Sequence, residues 1–146
     1  MKSMMGFGFF LLFLAGIALV MLQGRQMAQQ KMGGGGAEMT GIAWRPTVIG
    51  ADSMPADSGM FVQFEVDGSI KGHGGCNGFF GSLEETDTGI KVGPLGATRM
   101  ACEEQVMNRE QAFMTALQDG RAFEMGANRL QVLDADGTLL VELVPG

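Results

Sequence analysis

From residue 40 onward the chain is mostly a series of short apolar and polar alternations, and alternation with a period of two is the mark of strands with one buried face. In "MFVQFEV", Met60, Val62, Phe64 and Val66 fall on one face and Gln63 and Glu65 on the other. The run stops at Asp67-Gly68, a hairpin turn signal, so Ser69 to Gly72 is expected to be the returning strand. Trp44 to Ile49 reads as a first strand, and Phe79 to Glu84 and Ile90 to Val92 as short ones. Arg121–Met125, Arg129–Leu133 and Thr138–Val144 form an expected antiparallel meander, with turns at Gly126-Ala127-Asn128 and Asp136-Gly137.

One stretch departs from this period. In "EEQVMNREQAFMTALQDG", Val106, Met107, Phe113, Met114 and Leu117 recur at helical spacing, Glu103 and Glu104 open the first turn, and Gly120 follows the last. Seven or eight short strands with one amphipathic helix predict an α+β, mainly β domain: a small antiparallel, barrel-like sheet with the helix as its cover.

The first forty residues are different. Met4 to Leu22 is 19 residues without a charge, which as a helix is roughly 28 Å long, the hydrocarbon thickness of a bilayer. A cleaved signal peptide is the competing reading, but its apolar core is about 7 to 15 residues and no A-x-A site follows Leu22. No cysteine lies near the segment to be acylated. Residues 1–22 are therefore expected to be an uncleaved membrane anchor, a transmembrane helix. Residues 23–39 read as a Gly-rich linker of roughly 20 to 25 Å reach, and residues 40–146 as the folded domain. Lys2 on one flank and Arg25 and Lys31 on the other nearly cancel in the positive-inside rule.

Charge narrows the partners. Of ten basic and sixteen acidic residues, only Lys2, Arg25 and Lys31 lie in the first 31, so the rest carries seven against sixteen, a net of −9. Scattered basic residues in an acidic chain argue against nucleic acid and against lying flat on anionic lipid. The bilayer is expected to be a partner through the N-terminal helix alone.

The candidate chemistry centres on "GHGGCNGFFGSLE", Gly72 to Glu84, five glycines around Cys76, His73 and Asn77. Cys76 and Cys102 are the two cysteines of the chain. In an exported domain such a pair is a disulfide candidate, worth roughly 3 kcal/mol for a loop of this length. That pairing tips the orientation toward residues 40–146 lying on the exported side. The alternative is thiol chemistry, with Cys76 or Cys102 as a nucleophile or a redox pair. His73, the sole histidine, sits three residues from Cys76 on the same extended stretch and would face away from it. One histidine and two distant cysteines do not make a zinc site, and no Lys-Ser/Thr follows the glycines to make a phosphate loop. No cofactor, metal or catalytic residue is assigned. The glycines suit a bulge or barrel corner, and Asn77 reads as a turn former bonding nearby backbone. A third reading, a carrier of a small apolar ligand inside the barrel, competes with Phe61, Phe64, Phe79, Phe80, Phe113 and Phe123 filling that space as core.

Gly75-Cys76-Asn77, then Phe79 or Phe80 and Gly81, then Thr98 and Met100-Ala101-Cys102, then Glu110, Phe113 and Leu117 resemble the META domain, the HslJ-like domain of bacterial heat-shock lipoproteins. Trp44 and the Leu130 to Leu143 meander also fit. The resemblance implies a small barrel-like domain with one helix, exported and tethered to the envelope, associated with heat or envelope stress and without an established catalytic activity. It singles out Gly75, Asn77, Gly81 and Thr98 beside the cysteines as structural motif residues. An envelope protein is the expected partner class.

Overall fold

A computed structural model describes residues 38–146. The anchor expected at residues 1–22 and all but the end of the linker lie outside the described residues. Among the described residues no helix is long and apolar enough to cross a membrane.

Among the described residues, ten strands and one helix follow one another as β1 (Ala43–Ile49), β2 (Asp52–Ser53), β3 (Phe61–Phe64), β4 (Ser69–His73), β5 (Gly78–Thr86), β6 (Gly89–Val92), β7 (Gly96–Ala97), α1 (Glu104–Asp119), β8 (Ala122–Met125), β9 (Leu130–Leu133) and β10 (Leu139–Pro145). The main antiparallel path runs β6-β5-β4-β3-β1-β10-β9-β8, with β2 on β1 and β7 on β5. Its outer strands, β6 and β8, curl round to approach each other, so the sheet is a nearly closed barrel. Helix α1 packs against β10, β6 and β1 as its cover.

The alternation does what the pattern predicts. Val62 and Phe64 of β3, Ile70 of β4, Phe79 of β5, Leu130 and Val132 of β9, and Val141 and Leu143 of β10 all point into one core. Each such side chain contributes about 1.5–3 kcal/mol through burial. Phe79 meets Phe113 of α1 edge-on with ring centroids 5.9 Å apart. In β1 the period breaks and is reset: Trp44 and Pro46 are buried, then the register against β10 slips between Pro46 and Val48, and Ile49 returns to the core. Proline has no N–H for a ladder, so a bulge is where a strand can hold one.

Three sequence expectations are corrected here. Met39, placed in the linker, is 2% exposed, and its carbonyl accepts the Trp44 Nε1–H at 2.8 Å. A buried indole needs a partner for its N–H, and Met39 supplies it while packing on the core. Val66, assigned to the inner face of β3, is 88% exposed, because the chain leaves the ladder at Glu65 to enter the turn. There Gly68 takes φ +83°, and the Asp67 carboxylate accepts from Ser69 Oγ at 2.6 Å and Ser69 N at 2.9 Å. Those bonds, the hydroxyl's foremost, hold the Asp67 carboxyl below the usual carboxylate range. Of the six phenylalanines expected to fill the barrel, Phe64, Phe79 and Phe113 are buried, Phe61 and Phe123 half-buried, and Phe80 faces out. Phe80 follows Phe79 on the strand, so the pleat turns it to the opposite face.

Candidate functional site: a hairpin turn closed on a buried carboxylate

Strands β4 and β5 are joined by Gly74 to Asn77, and this turn holds the polar centre of the molecule. His73 pairs with Gly78, and Gly74 N donates to the Asn77 carbonyl at 2.8 Å. Between them Gly75 takes φ +106°, a region that L side chains rarely adopt and glycine reaches freely. Gly75 N donates to His73 Nδ1 at 3.0 Å. The next two N–H groups, of Cys76 and Asn77, point inward. Successive backbone donors of this kind form a small anion-binding nest.

The anion is supplied from within. Glu110, in the middle of α1, is 8% exposed, and its Oε2 accepts from Cys76 N at 3.1 Å and Asn77 N at 2.6 Å. Its Oε1 accepts from Asn77 Nδ2 at 2.7 Å. Bonds to a charged acceptor are worth about 1.5–3 kcal/mol each against an unmade bond. The close approach demands Gly74, since a Cβ there would stand 2.3 Å from Glu110 Cγ.

Asn77 carries the network outward. Its Oδ1 accepts from Met100 N at 2.6 Å and from Thr98 Oγ1 at 3.0 Å, and its Nδ2 reaches the Met100 carbonyl at 3.3 Å. Thr98 also donates its backbone N–H to the Gly78 carbonyl at 3.0 Å. The sequence reading of Asn77 as a local turn former is thereby corrected: its side chain spans 23 residues to Met100 and 33 to Glu110. Backbone near Asn77 has its own partners, so the amide is free to bond at a distance.

Cys76 and Cys102 form the expected disulfide, with Cα atoms 6.0 Å apart. It ties the turn to the segment leading into α1, and no free cysteine is left among the described residues. Gly81 lies further along β5, where a Cβ would come within 2.7 Å of Leu95 Cδ2. It thus serves the packing of the β6–β7 connection on β5 and does not join the polar cluster. Cys76, Asn77, Thr98 and Cys102 are brought together with the Gly75 turn, and His73 stands at the cluster's edge. Sequence reasoning counted Glu110 among the residues that carry the resemblance but gave it no structural role. Its signal was a carboxylate three residues before Phe113 and seven before Leu117, on the buried stripe of the helix.

A nearly closed antiparallel barrel covered by one helix, with that helix pinned to a Gly-Cys-Asn turn by a carboxylate and a disulfide, defines a small β-barrel domain whose buried polar side chains, Asn77 and Glu110, hold its own architecture. The model of the META domain matches residues 37–144, and the chain belongs to the META domain family. A comparison with curated proteins finds no significant match. Among solved structures, the chain is similar to the NMR structure of a protein from Burkholderia xenovorans, with 24% identity, a TM-score of 0.58, and coverage of 75% of this chain and 85% of that one. A second NMR structure matches with 18% identity and a TM-score of 0.59, over 75% of this chain and 92% of the other. These likenesses establish the fold.

Proposed function

We propose that the protein is a non-catalytic binding or structural module of the cell envelope, its META domain held at the periplasmic face of the inner membrane by the apolar segment Met4–Leu22 and serving heat or envelope stress. The observation that carries this reading is the disulfide between Cys76 and Cys102. A bond of this kind persists in an oxidising compartment such as the periplasm, and it takes up both thiols on which the enzymatic alternative depends. Glu110 adds to the same side: its oxygens accept from the Cys76 and Asn77 N–H groups and the Asn77 amide, so the nest it fills is closed to a substrate oxyanion. The carrier reading gains less, because Trp44, Phe64, Phe79, Phe113 and Leu117 pack in the core.

The test uses the full chain in spheroplasts, treated with a membrane-impermeant maleimide before and after an impermeant phosphine reductant. The expected result is two adducts by intact mass, only after reduction, on protein recovered in the membrane fraction. Labelling without reduction would overturn the disulfide and restore thiol chemistry. Labelling that appears only after lysis would overturn the periplasmic orientation, and recovery in the soluble fraction would overturn the anchor.

A further inference from the structure

The two sulfurs of the disulfide stand in unlike surroundings. Cys76 is 3% exposed and sits in the turn that the Glu110 carboxylate and the Asn77 side chain hold in place. Its Sγ lies 3.4 Å from the Met100 carbonyl oxygen. Cys102 is exposed, within a run of six exposed residues, 98–103, that belongs to no strand or helix. The run is moored to Asn77 through Thr98 and Met100 at its start, and it leads into a helix whose first turn has no side-chain cap. Met100, two residues before Cys102, is 59% exposed, an apolar side chain left outside the core.

A disulfide is exchanged by a thiolate that attacks one of its two sulfurs, so access to each sulfur decides which one reacts. An attacker reaches Cys102 Sγ from solvent, and Cys76 Sγ only by displacing the turn. An exposed run outside regular structure, with an apolar side chain beside the reacting cysteine, is also the form in which a protein partner can take a peptide into a groove.

We propose that Cys102 is a thiol-exchange site, engaged by a dithiol–disulfide oxidoreductase that grips residues 98–103 through Met100, with Cys76 as the sulfur that leaves and later recloses the bond. The inference rests on the disulfide that carries the binding-module reading, and it gives that module a partner class. A bond between the partner's sulfur and Cys102 Sγ forms as the Cys76–Cys102 bond breaks. The electron pair of the broken bond goes to Cys76 Sγ, which takes a proton from water and can donate it to the Met100 carbonyl. The partner's second thiolate then attacks the partner's own sulfur in the mixed disulfide, and Cys102 leaves as a thiolate and is protonated in turn. The partner ends as a disulfide and the domain as a dithiol; the reverse sequence forms the bond. Opening frees the run before α1 while Glu110 still holds the middle of the helix, so the two forms differ at one corner.

The full chain in detergent micelles is first treated with N-ethylmaleimide without reduction. It is expected to stay unlabelled; labelling at this step would remove the disulfide, and the binding-module reading with it. The chain is then reduced, freed of reductant, and given a limiting amount of N-ethylmaleimide, followed by urea and a heavy-isotope maleimide. Peptide mapping is expected to place the first label on Cys102 and the second on Cys76, with a preference of about tenfold or more. With oxidised glutathione, Cys76→Ala is expected to take up one glutathione about tenfold or more faster than Cys102→Ala, with Trp44 emission verifying that both fold; the labelling of the parent decides the question if either does not. Thioredoxin lacking its second active-site cysteine is expected to be trapped on Cys102 of the oxidised chain, and more slowly on Met100→Ser. A first label on Cys76, equal labelling of the two cysteines in the folded chain, or reaction only at urea concentrations that unfold the domain would each overturn the exchange site. Trapping unaffected by Met100→Ser would overturn the grip of a protein partner. These last results leave the unlabelled oxidised chain as it is, so the two readings fail separately.

Discussion

At the residue scale the centre of the molecule is a contact between one amide and one carboxylate whose orientation is fixed from both sides. Asn77 donates through Nδ2 to Glu110 Oε1 and accepts through Oδ1 from Met100 N and Thr98 Oγ1. Turning the amide over would set its NH₂ against the Met100 N–H and its oxygen against the carboxylate. Donors and acceptors in so closed a network cannot be exchanged singly. Glu110→Gln sets an amide donor against the Asn77 amide donor, and Asn77→Asp sets two carboxylates against each other. Each is expected to destabilise the fold by about 2–4 kcal/mol. The double variant exchanges donor and acceptor across the pair, with the glutamine now donating to the aspartate. Its unfolding free energy from urea titration is therefore expected to lie above the additive value by about 1 kcal/mol or more. Strict additivity would mean that the two side chains do not act as a pair.

At the element scale, the two ties on α1 do different work. Glu110 fixes the middle of the helix to the turn, and the Cys76–Cys102 bond fixes the chain just before its first residue, Glu104. Glu103, at the helix start, makes no side-chain capping bond, so this end lacks the support a capping side chain would give. Replacing both cysteines with serine is expected to cost about 3 kcal/mol. It should also speed amide exchange at Cys102 to Val106 while leaving β9 and β10 protected, because the meander is sealed by Leu130, Val132, Val141 and Leu143, all fully buried. Uniform loss of protection would show instead that the disulfide acts on the whole domain. The elements were legible in the sequence where a face is half-buried, since there burial and alternation are the same fact. They were not legible where tertiary contact decides. The two-residue strands β2 and β7 carry no period of their own, and Met107, on the apolar pattern of the helix, is 37% exposed while Glu110 is buried. A carboxylate on a surface helix is ordinarily solvated. What reverses that here is a nest of N–H groups 33 residues earlier, which no local pattern announces.

At the scale of the whole molecule, the question is where the folded domain begins. The change from glycines to a strand suggested residue 40, but the packing sets the boundary earlier. Met39 is buried and accepts the indole N–H of Trp44, Thr40 bridges to Phe64, and Gly41 N donates to the Phe64 carbonyl at 2.8 Å. The segment entering β1 thus lies against β3 and closes the core beside Trp44. Removing it would expose apolar surface and leave the Trp44 N–H, buried in the barrel, without its acceptor. Burial of a methionine is worth about 1.5–3 kcal/mol and an orphaned buried donor costs about 1–3 kcal/mol. A chain starting at Thr40 is accordingly expected to unfold about 2.5–6 kcal/mol more readily in urea than one starting at residue 33, with Trp44 fluorescence shifted to the red by water reaching the indole. Met39→Ala in the longer chain separates the two contributions, since it removes the side chain and keeps the carbonyl. It should recover the part of the loss that belongs to the hydrogen bond. If the two starting points gave equal midpoints and equal emission, Met39 would be a passive continuation of the linker, and the domain would begin at the first strand.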